Sequence, residues 1–138
     1  MRLLKRLAGI GTAGLLATAL WGGTAHAMGP LARFSCDVDL TTASSWPTGW
    51  VGGITINNTG TEPFSGWVLQ FELAAGQSVS SAWVGTLTQA LPIVQVRAPV
   101  WASGIAAGSW AEIGYVLIHT GVSDPPRNFT LNGVACTI

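Results

Sequence analysis

The chain has 138 residues, of which 49% are hydrophobic and only 9% charged, with six basic and six acidic residues and a formal net charge of zero. Beyond residue 27 only Arg33, Arg97 and Arg127 are basic, against Asp37, Asp39, Glu62, Glu72, Glu112 and Asp124, a net charge of −3. A chain with no basic patch argues against nucleic acid and anionic membrane as partners.

Residues 1–27 read as a secretory signal peptide. Arg2, Lys5 and Arg6 give a positive start, residues 7–20 are apolar and uncharged, and Ala25-His26-Ala27 fits a small-x-small cleavage site. The apolar run is shorter than the roughly 20 residues of a spanning helix and contains Gly9, Gly11 and Gly14, which argues against a membrane anchor. The expected location is therefore extracellular. Cleavage after Ala27 leaves residues 28–138, enough for one domain with its own core: a short lead over 28–35 and a module over 36–138. The domain is expected to be monomeric.

Cys36 and Cys136 are the only cysteines, near the two ends of the mature chain, and an oxidising destination makes a disulfide their direct reading. Closing a loop of that size stabilises by roughly 4–5 kcal/mol in the chain-entropy account. Strands are expected over 35–40, 50–57, 67–73, 77–84, 93–97, 109–118 and 129–137, with turns at 57–60 and 74–77. Within 67–73, Trp67, Leu69, Phe71 and Leu73 share one face. Within 109–118, Ala111, Ile113, Tyr115 and Leu117 oppose Trp110, Glu112, Gly114, Val116 and Ile118, so whichever face is exposed carries apolar groups. Many short strands between turn signals predict an all-β chain folded as an antiparallel β-sandwich, jelly-roll or immunoglobulin-like, closed by one terminal disulfide.

Catalytic chemistry finds little support. Nothing marks two of the six acids as partners across a cleft. His119 lies in a Thr/Gly-rich turn, and no nucleophile-elbow motif accompanies it. Cleavage after Ala25 would make His26 an amino-terminal copper ligand with His119 as the second, as in oxidative polysaccharide monooxygenases; cleavage after Ala27 removes that ligand. No catalytic residue, metal or cofactor is assigned.

The tryptophans are the informative residues. Trp46, Trp50, Trp67, Trp83, Trp101 and Trp110 follow the signal, and a domain this small cannot hide six indoles. Flat rings on a charge-poor surface suit a flat, uncharged, partly apolar ligand such as a polysaccharide. The segments Ser45-Trp46-Pro47-Thr48-Gly49-Trp50, Ile54-Thr55-Ile56-Asn57-Asn58-Thr59-Gly60, Ser65-Gly66-Trp67-Val68-Leu69 and Ser81-Ala82-Trp83 stand in an order seen elsewhere. So do Thr88-Gln89, Ala98-Pro99-Val100-Trp101, Ile105-Ala106-Ala107-Gly108 and Phe129-Thr130-Leu131-Asn132-Gly133 before Cys136. From Cys36 to Cys136 the chain resembles family 2 carbohydrate-binding modules, the β-sandwiches attached to bacterial cellulases and xylanases.

That resemblance implies three sugar-stacking rings at Trp46, Trp83 and Trp101, a core ring at Trp67 and a Cys36–Cys136 disulfide. It also implies a cellulose-type platform, because Gly49 stands where the xylan-binding subfamily has arginine. Of the positions that usually hydrogen-bond sugar, Ser44, Ser81 and Glu112 keep polar side chains, whereas Gly53 and Val116 do not. Trp110 is expected to extend the platform or to pack under a loop. The function expected is a non-catalytic module that binds insoluble polysaccharide: crystalline cellulose first, with chitin or xylan as alternatives. A polysaccharide-active enzyme or fragment, or a structural wall protein with a drifted ligand, is the competing reading.

Overall fold

The computed structural model describes residues 32–138; the expected signal peptide and residues 28–31 of the lead lie outside the described residues. The strands in chain order are β1 (Cys36–Trp46), β2 (Gly49–Asn58), β3 (Phe64–Ser65), β4 (Val68–Glu72), β5 (Gln77–Trp83), β6 (Thr86–Ala90), β7 (Ile93–Arg97), β8 (Gly104–Ile105), β9 (Trp110–His119), β10 (Arg127–Leu131) and β11 (Val134–Ala135). They form a four-stranded sheet ordered β1-β2-β9-β5, a five-stranded sheet ordered β11-β10-β4-β7-β6, and a small β3-β8 pair. Every strand pairing is antiparallel. The fold is the expected antiparallel β-sandwich, and no described helix is long and apolar enough to cross a membrane.

The core follows from strand alternation. Ile54 and Ile56 of β2, Ile113, Tyr115 and Leu117 of β9, and Val38 and Val79 of the flanking strands are buried from one sheet. Leu69, Phe71, Val94, Val96, Phe129 and Leu131 are buried from the other, with the Phe71 and Phe129 rings 5.2 Å apart. Trp67, 1% exposed, joins this core as expected, and Trp50 at 9% is also interior. Two buried amides pin the loops. Asn58 donates to the carbonyls of Glu62 and Ile105 and accepts from Gly60 N; Gln77 donates to the carbonyls of Val122 and Asp124 and accepts from Ala74 N. Each group is satisfied, as a buried amide must be.

Cys36 and Cys136 form the expected disulfide. Beside it Thr137 N donates to Cys36 O and Val38 N to Thr137 O, so the last residues lie parallel to β1.

Besides the short β3–β8 pair, where no strand is expected, the strands depart from the sequence reading in three main places. β1 runs six residues past the expected end at Leu40, through a polar Thr/Ser stretch that pairs with β2 as far as Trp46↔Gly49. The segment Thr86–Ala90 is a strand with no clear alternation, held by pairing to β7. The expected strand 129–137 is instead a hairpin, because Asn132 and Gly133 turn with φ of 49° and 83° between the paired Leu131 and Val134. Asn-Gly at positive φ is the favoured two-residue hairpin turn.

Candidate functional site

The outward face of the four-stranded sheet carries most of the residues singled out from sequence. Its register aligns five outward rows: Trp46–Gly49–Ile118–Ser78, Ser44–Val51–Val116–Ser81, Thr41–Gly53–Gly114–Trp83, Asp39–Thr55–Glu112 and Asp37–Asn57–Trp110. Ser44 and Ser81 therefore sit at opposite ends of one row, on the two edge strands, with Val51 and Val116 between them.

Trp46 and Trp83 reach this face through β-bulges. In β1 the inward positions are Cys36, Val38 and Leu40, and unbroken alternation would turn Ser44 and Trp46 inward too. The register shifts between Thr42 and Ser44, so Trp46 points out. In β5 the inward positions are Gln77 and Val79, and a shift between Val79 and Ser81 turns Ser81 and Trp83 outward. One extra residue reverses the side-chain face of everything after it. The β5 bulge is braced by Gln89 of β6, which donates to Val79 O at 2.7 Å and accepts from Val79 N at 3.1 Å.

Glycines then let both rings settle onto the sheet. A Cβ at Gly114 would overlap Cε2, Cζ2 and Nε1 of Trp83, and a Cβ at Gly49 would collide with the Leu117 carbonyl oxygen and come within 2.9 Å of Trp46 Cζ2. Gly114 was not among the sequence candidates; its signal was a lone glycine inside a strand, which marks close approach of another group. Around it lies a hollow of about 240 Å³ bordered by Thr41, Val51, Gly53, Trp83 and Glu112. A hollow of similar size, about 220 Å³, lies beside Trp50 and Tyr115, but those two rings are buried.

Trp101 sits on a loop, in a single 3-10 turn, Val100–Ala102. The loop is clamped at both ends to the backbone of buried Trp67: Ala98 N donates to Trp67 O at 2.9 Å, and Trp67 N donates to Ser103 O at 3.3 Å. It leaves β7 at Arg97, which pairs with Thr86 and lies beside Gly85, so it starts next to the turn that follows Trp83. Trp110 begins β9 opposite Asn57. Exposures of 41% for Trp46, 48% for Trp83, 75% for Trp101 and 61% for Trp110 set these four rings apart from Trp50 and Trp67.

Glu112 is exposed in the row between Trp83 and Trp110, whereas Asp39, across the same row, accepts a hydrogen bond from Asn57 Nδ2 at 2.9 Å. No basic residue stands in any of the five rows. His119 lies off this face: its Nδ1 accepts from Gly121 N, and its ring packs 5.8 Å from that of Trp50. Among the described residues no group of three His, Cys, Asp or Glu side chains could hold a metal ion. Trp50 Nε1 donates to the Tyr115 hydroxyl at 3.1 Å under the sheet, and burial pushes the Tyr115 phenol above its ordinary pKa, the Trp50 hydrogen bond opposing.

Comparison with known proteins shows the family of the chain. The cellulose binding domain family matches residues 36–136. The chain belongs to that family. Exoglucanase A of Cellulomonas fimi is 43% identical over 96 residues, 70% of this chain and 11% of that protein. A cellulose/chitin binding protein of Mycobacterium tuberculosis is 35% identical over 94 residues, 68% of this chain and 66% of its own length. The solution structure of the chitin-binding domain of Chi18aC from Streptomyces coelicolor superposes with a TM-score of 0.61 at 30% identity, covering 74% of this chain and 94% of that one. This family member spans only about a tenth of the Cellulomonas fimi exoglucanase.

Proposed function

We propose that this protein is a secreted, non-catalytic module that binds crystalline cellulose by stacking Trp46, Trp83 and Trp101 on sugar rings. The observation that carries the reading is the paired construction of Trp46 and Trp83: two edge-strand bulges turn the rings outward, and two glycines receive them. Membership of the cellulose binding domain family supports the ligand class.

Indole faces are electron-rich and the axial C–H groups of glucose are weakly positive, so stacking adds a directional attraction to hydrophobic burial. If each ring buries on the order of 100 Å², it contributes roughly 2–3 kcal/mol gross at about 25 cal/mol per Å². Three rings then supply about 7 kcal/mol before association costs, so they act usefully only together. A rigid crystal face engages all of them at once. Ser44, Ser81 and Glu112 provide a sparse fringe for sugar hydroxyls, so the rings carry most of the affinity.

Chitin is the second reading, favoured by the 30% identity to a chitin-binding domain. The test is retention of the protein on crystalline cellulose, chitin and insoluble xylan beside a Trp46/Trp83/Trp101→Ala variant. Retention on cellulose that the variant loses supports the proposal; equal retention of both proteins removes it, and preference for chitin replaces the ligand.

A further inference from the structure

We infer that Trp110 is a further sugar-stacking residue, and that with Trp46 and Trp83 it forms a file of rings along which one glycan chain lies parallel to β2 and β9. The inference rests on the stacking role proposed for Trp46 and Trp83 and adds a residue, an axis and a length to it.

The register carries the argument. Trp46 covers Gly49, Trp83 covers Gly114, which pairs with Gly53, and Trp110 pairs with Asn57. The three positions on β2 are thus Gly49, Gly53 and Asn57, each four residues from the next. At a rise of about 3.3 Å per residue these backbone positions are about 13 Å apart along the strand direction. The positions belong to the two central strands, so the file follows the sheet axis. Between Trp83 and Trp110 the row Asp39–Thr55–Glu112 has the short Thr55 at its centre and the Glu112 carboxylate on β9, an acceptor for sugar hydroxyls.

Trp110 is also held ready. Asn58 N donates to Ser109 O at 2.9 Å, and Gly108 N donates to Asn58 O at 3.0 Å, so the backbone entering β9 just before Trp110 is bonded twice to a buried, fully satisfied asparagine. β5 ends its pairing at Gly114, leaving the β9 edge beside Trp110 uncovered by that strand. A large apolar ring left 61% exposed on such an edge is arranged for contact with a ligand.

The test compares binding isotherms on crystalline cellulose for the wild type, Trp110→Ala, Trp110→Phe and Trp83→Ala, with thermal unfolding of each. Trp110→Ala is expected to bind roughly ten- to a hundredfold more weakly, as for the loss of one stacking ring, and Trp110→Phe to recover most of it, with unfolding unchanged. If Trp83→Ala weakens binding and Trp110→Ala does not, the file is overturned while the role of Trp83 stands. If neither variant weakens binding, the stacking face itself falls and the file with it.

Discussion

The indole of Trp83 lies over Gly114, so close that a Cβ on that residue would overlap three atoms of the ring. Gly114 belongs to β9 and Trp83 to β5, and the two are paired across the sheet. An edge-strand ring thus rests on a central strand, and its position depends on a side chain that is missing.

Gly114→Ala is therefore expected to lift the ring without unravelling the strand, since Gly114 is not at positive φ. Overpacking of this kind costs typically about 1–3 kcal/mol. Cellulose binding should weaken about tenfold, a part of what the loss of the whole ring would cost. Paired binding isotherms and urea titrations measure both effects; unchanged binding would mean that the seat under Trp83 is irrelevant.

The same reasoning separates Trp67 from Trp83. Trp67 is 1% exposed, and its backbone clamps both ends of the Trp101 loop. Trp67→Ala should cost about 3–5 kcal/mol, as for other buried aromatic truncations. Trp83→Ala should change stability by about 0.5 kcal/mol or less, as expected for an exposed side chain. Chemical denaturation of the two variants checks the division, and comparable losses would contradict it.

Tyr115 is the only tyrosine in the chain, and the described residues include no lysine. Burial raises its pKa above the ordinary 10.0, so the unfolded state releases the phenolic proton at lower pH than the folded state. The Tyr115 contribution to stability should be constant below about pH 10 and be lost as pH rises from there towards the folded pKa. Tyr115→Phe should remove that alkaline loss while costing about 1–3 kcal/mol at neutral pH, because Trp50 Nε1 loses its acceptor. Urea midpoints between pH 8 and 11 test this; an identical alkaline slope in the variant would assign the titration elsewhere.

Much of the sandwich was legible in the sequence. The alternation of Trp67, Leu69, Phe71 and Leu73 marks one face, which the fold does bury; for 109–118 the sequence leaves either face open, and the fold buries Ile113, Tyr115 and Leu117. The disulfide followed from two cysteines in a chain with a secretory signature. The outward turn of Trp46 and Trp83 was not legible from periodicity. Counting by twos places them with Val38 and Val79 in the core, because a bulge adds a residue without leaving a compositional mark. Only the family resemblance pointed to them as surface rings. The β10–β11 turn is a different case: Asn132-Gly133 is a hairpin signal in the sequence itself, and it breaks the segment 129–137 into two paired strands. Gly114 likewise needed the register to acquire meaning, since only pairing reveals which ring covers it.

The central claim is that outward tryptophans on the four-stranded sheet bind polysaccharide. Its most direct test is the binding isotherm of Trp83→Ala on crystalline cellulose, read beside its thermal unfolding. The expected result is binding weakened about tenfold or more at an unchanged unfolding temperature. An isotherm that superposes on that of the wild type would contradict the claim.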